Sequence, residues 1–231
     1  MRFLHAFILC LLLAGASAQS VSTEPLRTFS FTLTTGTSQD FASKTNTVND
    51  VRPRARPVFT ENFNHLSLGF ELVSIRNPHL VYMLNTGYQS LRPSYGVFEY
   101  NSWNGQFLRG ENIPAFFLSM GAKWEVTLNE RWALLPGMGL DLHYLFKAQN
   151  VNSFISHTRV NPFFLTLSPS MEFRMWLSHN VSGSFVVNYR HGLMPAIKAS
   201  LTAQGSEELA QYNGNSLMLG LRLIYCIPCR E

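Results

Sequence analysis

Apolar and polar residues alternate with a period of two along most of this chain. The pattern is cleanest from Phe116. Phe116, Leu118, Met120, Ala122, Trp124, Val126 and Leu128 share one face, and Phe117, Ser119, Gly121, Lys123, Glu125 and Thr127 share the other. Successive side chains of a β-strand point to opposite sides, so the run predicts a strand with one greasy face. The next two segments repeat it. Trp132, Leu134, Pro136, Met138, Leu140, Leu142, Tyr144 and Phe146 alternate with Ala133, Leu135, Gly137, Gly139, Asp141 and His143. Phe163, Leu165, Leu167, Pro169, Met171, Phe173, Met175 and Leu177 alternate with Thr166, Ser168, Ser170, Glu172 and Arg174. Shorter segments of the same kind begin at Phe29, His65, Leu80, Val181 and Leu217, the one at Leu80 being the weakest. The expectation is eight strands, most of them long enough to cross a bilayer at a tilt, which takes about 9–11 residues.

The connections follow a second rule. Ile75-Arg76-Asn77-Pro78, Asn129-Glu130-Arg131 and Ser178-His179-Asn180 are short and rich in turn residues. The other four, Gly36 to Glu61, Ser90 to Pro114, Lys147 to Asn161 and His191 to Asn215, are long. Strict alternation of short and long connections, with both termini on the short side, is the layout of an outer-membrane barrel. The predicted fold is therefore all-β: an eight-stranded antiparallel transmembrane β-barrel, an up-and-down meander.

Alternation alone also fits an exported soluble sandwich or lipocalin-like barrel with the greasy face inside. Bulky Phe, Leu, Met and Trp on eight such faces would overfill a small barrel, whose interior is just wide enough for side chains. Aromatics also gather near the ends of the greasy faces: Trp124, Trp132, Tyr144, Phe146, Phe163, Tyr189 and Tyr225. That is where membrane barrels carry their aromatic girdles. Pro136 and Pro169 lie inside strands, and each removes a ladder donor. Local bulges are expected there.

The start of the chain reads as an address. Arg2 precedes the apolar run Phe7 to Leu13, and Ala16-Ser17-Ala18 is a cleavage signal, so residues 1–18 are expected to be a signal peptide and 19–231 the barrel domain. Charged residues make up 14% of the sequence and aromatics 13%, which excludes a disordered chain. The net charge of +4 has no basic stripe in it, so a nucleic-acid partner has no support.

The polar face carries the candidate chemistry. Glu71, Glu125, Asp141 and Glu172 lie on it with Lys123, Arg174, Arg190 and Arg222, four acids against four bases. Charges in a narrow lumen must pair, so these residues are expected to form a salt-bridged network that fills the barrel. His65 and His143 point the same way and would join it. A gated or narrow conduit is the functional alternative. Catalysis needs a nucleophile beside a base and an orienting group. Outer-membrane lipid A deacylases carry a His-x-Ser arrangement on an outward strand face; His157 is followed by Thr158-Arg159 and His191 by Gly192-Leu193, so neither supplies it. Those histidines and Ser153 read as loop residues. No His/Asp/Glu group has metal-ligand spacing, and no cofactor is implied. Cys226-Ile227-Pro228-Cys229 lacks a βαβ context and reads as an exposed disulfide between Cys226 and Cys229. The sequon Asn180-Val181-Ser182 falls in a tight turn. Arg52, Arg54 and Arg56 make the first long loop basic; contact with lipopolysaccharide phosphates is one reading, and a solvated loop is preferred to it.

The segment from Val186 to Leu193, then Asn215 to Leu223, resembles the last hairpin of the outer-membrane β-barrel proteins of Bacteroidetes. The resemblance rests on Tyr189-x-x-Gly192-Leu193 before the last long connection and on Leu219-Gly220-Leu221-Arg222 in the final strand. It implies a small barrel in the cell outer membrane, with membrane lipid and the barrel-assembly machinery as partners, and says little about activity. Tyr225 is the candidate terminal aromatic that such machinery reads. The leading expectation is a monomeric, non-enzymatic barrel with a structural or surface-contact role. Behind it stand a narrow conduit for small or apolar molecules, with Pro136 and Pro169 opening a gap, and a lipid-modifying enzyme.

Overall fold

A computed structural model describes residues 29–40, 44–45, 52–53, 64–91, 94–98, 106–109, 113–146, 155–201 and 208–227. The expected signal peptide, residues 1–18, and Ser153, Arg54, Arg56 and Cys229 lie outside the described residues.

Eight long strands carry the fold: β1 (Phe29–Asp40), β2 (His65–Val73), β3 (Leu80–Leu91), β4 (Ile113–Trp124), β5 (Trp132–Leu145), β6 (Phe163–Trp176), β7 (Val181–Gly192) and β8 (Ser216–Ile227). Each pairs antiparallel with the next, and β8 returns to pair with β1 from Phe29↔Ile227 to Asp40↔Ser216. The sheet is thus a closed ring, which leaves no backbone edge to hydrogen-bond with lipid. The lateral partners run from Ser30 through Glu71, Met83, Gly121, Gly139 and Ser168, then back to β1 at Asp40, ten residues farther along. A stagger of that size tilts the strands by about 40° and leaves an interior only side chains wide.

Three tight turns close one end. Ser74 N–H donates to Leu80 O at 2.8 Å, Leu128 N–H to Trp132 O at 2.9 Å, and Leu177 N–H to Val181 O at 2.9 Å. Asn129 Oδ1 accepts from the N–H groups of Arg131 and Trp132, which explains an Asn at that corner. The long connections lie at the opposite end and carry strands of their own. Ile155–Val160, Ile197–Leu201, Glu208–Tyr212 and Lys44–Thr45 form one small sheet, and Arg52–Pro53, Ser94–Phe98 and Gln106–Arg109 form another. His157 therefore sits in a strand, and His191 belongs to β7.

Burial is inverted relative to a soluble protein. Leu68, Leu221, Phe163 and Met120 are more than half exposed, while Asp141, Glu172 and Lys123 are 2% exposed or less. Thirty large apolar side chains are exposed among the described residues, most of them on the outer face of the eight strands. No soluble monomer tolerates a continuous apolar surface of that extent; in a bilayer it is the required one. The choice between an inward and an outward greasy face is settled for the outward one. Aromatic pairs mark both rims: Trp132 stacks on Phe173 at 4.8 Å near the turns, and Tyr144 meets Phe163 at 4.9 Å near the long connections.

One expectation fails. Neither strand proline sits in a bulge. The β5–β6 register runs without a shift from Trp132↔Met175 to Tyr144↔Phe163, through Pro136↔Met171 and Met138↔Pro169. Each proline instead falls where the ladder on its other side is interrupted. β5 leaves β4 below Gly137↔Lys123 and resumes the same register at Leu134↔Val126. β6 and β7 skip the pairs between Leu167↔His191 and Ser170↔Asn188. A missing donor costs nothing extra where its neighbour strand has already let go, so no inserted residue is needed.

Candidate functional site

The inward side chains stack in layers along the barrel axis. Nearest the turns, Val81, Ala133 and Leu135 form a small apolar floor with Val73 against it. Cys226 points inward there, and its sulfur accepts a hydrogen bond from Ser30 Oγ at 3.2 Å. That burial departs from the exposed thiol expected for a terminal disulfide; strand β8 runs through Cys226 and turns it into the lumen.

Above the floor lies the main ionic layer, built from four different strands. Glu71 comes from β2, Lys123 from β4, Glu172 and Arg174 from β6, and Arg222 from β8. Lys123 Nζ reaches Glu71 and lies 2.6 Å from Glu172 Oε2. Arg174 Nη2 is 2.7 Å from a carboxylate oxygen of both Glu71 and Glu172. Arg222 Nη1 lies 2.8 Å from Glu172 Oε2 and 3.3 Å from Glu71 Oε1. Ser184 Oγ donates to Glu172 Oε1 at 2.8 Å, and Arg222 Nε donates to Thr34 Oγ1 at 2.8 Å. Two carboxylates thus serve as bridges for three cations, the arrangement that low dielectric demands of buried charge.

A second, smaller layer lies closer to the long connections. Arg190 Nε donates to Asp141 Oδ2 at 2.9 Å, and its Nη1 donates to Gln89 Oε1. Ser168 Oγ donates to Asp141 Oδ1 at 2.9 Å. The Arg190 guanidinium also lies over the Phe117 ring at 4.9 Å. His65 stacks on Phe117 at 5.0 Å, and His143 on Phe164 at 4.4 Å, so both histidines enter an aromatic shelf rather than the ion pairs. His143 Nε2 is 3.0 Å from Thr166 Oγ1.

The mouth of the barrel is capped. Leu91, Ile113, Ala115, Leu145 and Phe164 point inward at the rim and pack against Ala196, Ile197 and Tyr212 from the last long connection. Tyr212 O–H reaches Asp40 Oδ1 at 3.0 Å. Gly214, with φ +91°, turns the chain back into β8 directly against the Phe164 ring, which leaves no room for a Cβ.

Seven of the eight charged residues expected in the lumen are therefore brought together, in two groups. Glu125 is the exception: it is half-buried at a break in the strand and makes no ion pair among the described residues. Gln89, Thr34, Ser168 and Ser184 complete the groups and were not singled out by sequence. Their signal was the period-two position alone, and at Gln89 even the alternation had faded. Among the described residues no group of three or more His, Cys, Asp or Glu side chains could hold a metal ion.

Comparison with solved structures finds this same architecture. The outer membrane protein OprG from Pseudomonas aeruginosa superposes with a TM-score of 0.52 at 12% identity, covering 87% of this chain and 97% of that one. Neisserial surface protein A gives 0.50 at 8% identity, covering 86% and 97%. The outer membrane protein AlkL, solved in lipid bilayers, gives 0.50 at 12% identity, covering 93% and 97%. The fold is that of a small outer-membrane β-barrel. At such identities the likeness extends to the fold; the membrane itself is required by the apolar belt, and together they place the chain in the outer membrane. No family model matches the sequence, and no curated protein matches it.

Proposed function

We propose that this is a non-enzymatic outer-membrane barrel whose lumen is closed, and that its contacts are made by the outer face and the long connections. One observation carries the reading: the inward polar and charged side chains of both ionic layers are 0–8% exposed, with an apolar floor below and an apolar cap above. A conducting path would keep those groups wet. A network in which Glu71 and Glu172 each bridge three cations acts as a packed polar core and holds the strands in one register.

The partners on this reading are membrane lipid along the belt and the barrel-assembly machinery, with Tyr225 as the terminal aromatic. The protein acts as a monomer. The Tyr189-x-x-Gly192-Leu193 step and the Leu219-Gly220-Leu221-Arg222 strand set its relatives among the Bacteroidetes-type barrels.

Single-channel recording in a planar bilayer tests the closed lumen. Native protein gives a flat trace, and openings follow replacement of Glu71 or Arg174. Steady conductance from native protein would instead establish the narrow conduit. Lipid A mass spectra from cells with and without the protein test the enzymatic alternative; identical spectra are expected.

A further inference from the structure

The outer apolar belt stops differently at the two ends of the barrel. Toward the long connections it turns polar before the strands stop: Thr35, Thr37 and Gln39 stand outward on β1, and Ser90 on β3. Toward the tight turns the strands stay apolar to their last outward residue, as at Leu72, Trp124, Trp132, Met175, Val181 and Ile227.

The apolar run then continues into the turns. Each of the three carries one exposed apolar side chain with an exposed basic residue close by in sequence. Ile75 is 83% exposed and precedes Arg76. Leu128 is 54% exposed at the turn that carries Arg131, and Leu177 is 58% exposed at the turn that carries His179. A single exposed apolar residue on a turn is ordinary. Here all three turns have one, and Leu128 and Leu177 continue the outward parity of β4 and β6, so they extend the belt.

The two arginines are not spent on the fold. Asn77 Oδ1 accepts from His79 N–H at 3.1 Å in the first turn, and Asn129 Oδ1 holds the second. Among the described residues Arg76 and Arg131 make no ion pair, and neither does Glu130, the one acid on these turns. Beside Arg131, Trp132 stacks on Phe173 at the height where membrane barrels carry an aromatic girdle.

We propose that the turn end of the barrel is a docking surface for phospholipid, with Ile75, Leu128 and Leu177 in the acyl region and Arg76 and Arg131 on headgroup phosphates. The inference rests on the membrane reading of the belt and names the lipid chemistry met at one end of it. An apolar side chain at a turn is stabilised only if hydrocarbon reaches it. A guanidinium at that height then meets the phosphate layer, an acceptor its planar fork fits. The turns are seated among the headgroups and do not project into the water beyond.

The probe is a bilayer of phosphatidylethanolamine and phosphatidylglycerol. In solid-state NMR of the full-length protein with 13C-labelled arginine, lipid 31P dephases guanidinium Cζ signals, and the dephased signal falls when Arg76→Gln and Arg131→Gln are combined. In the same bilayers each replacement alone lowers the folded-to-unfolded ratio about fivefold, the scale of one arginine at an anionic lipid surface. In a maltoside detergent, which carries no phosphate, neither replacement changes it, with or without added inorganic phosphate. Glu130→Gln lowers the ratio in neither medium. Undiminished dephasing in the double variant, or equal losses in bilayer and maltoside, overturns the proposal; equal losses would make the arginines part of the fold itself. A chain that neither floats with vesicles nor shifts its gel migration on heating overturns the outer-membrane reading as well. A barrel that inserts normally yet shows no dephasing overturns this inference alone.

Discussion

The two halves of the lumen are closed by different physics. Toward the tight turns, three cations share two carboxylates, five side chains from four strands, and pack on a small apolar floor. Toward the long connections, one ion pair sits on an aromatic shelf beneath an apolar cap that the last connection helps to build. The lower half draws on strands held by short turns, so its charges meet with little freedom to lose. The upper half depends on a segment outside the barrel folding back over the mouth. Ionic closure is therefore intrinsic to the ring, and apolar closure is added to it. The lower half should fail sharply when one partner is removed, and the upper half gradually.

Glu172→Gln is the hardest test of that contrast. It leaves Lys123, Arg174 and Arg222 facing one carboxylate, and should cost about 3–5 kcal/mol in urea unfolding from detergent micelles. Adding Lys123→Met to it should return part of that loss, because Glu71 then faces two cations instead of three. A double variant worse than the single one would break the account of the lower layer.

In the cap, Ile197→Ala should cost about 2–3 kcal/mol, as truncations in well-packed apolar clusters do. Hydrogen exchange should rise at Leu145 and Phe164 while amides around Glu71 and Arg222 keep their protection. A loss of protection in both places would mean that the halves are one unit. Asp141→Asn should cost about 2 kcal/mol. Arg190 keeps Gln89 and the Phe117 ring, so it is not stranded as the lower cations are. Equal costs for Asp141→Asn and Glu172→Gln would erase the distinction. The smallest effect lies outside both halves. Asn129→Ala removes the oxygen that two backbone N–H groups share at one turn, and should cost about 1 kcal/mol without changing conductance or heat-shifted migration on a gel.

Legibility followed the same division. Glu71, Lys123, Glu172, Arg174 and Arg222 stand at inward positions of an unbroken alternation, so a strict period of two placed them in the lumen. Glu125 carries the same parity, yet the strand breaks there and the residue stays at the margin. In β1 the alternation is legible only to Thr34, because its second half carries Gly36, Ser38 and Asp40 inward against Thr35, Thr37 and Gln39, with no bulky outward partners to mark it. Gln89 went unnoticed for the same reason in β3. The cap could not be read at all. Ile197 and Tyr212 lie in a connection without periodicity, and nothing local says that they fold over Phe164.

By itself the sequence determined the strand count, the alternation of short and long connections, and which face of each strand is greasy, because side-chain parity is a local property of an extended backbone. Only the tertiary structure decided which charges meet. That depends on the stagger of the closed ring, which brings β2, β4, β6 and β8 to one height, and no residue carries the value of that stagger in its own neighbourhood. The same closure decided that the prolines need no bulge and that Cys226 faces inward.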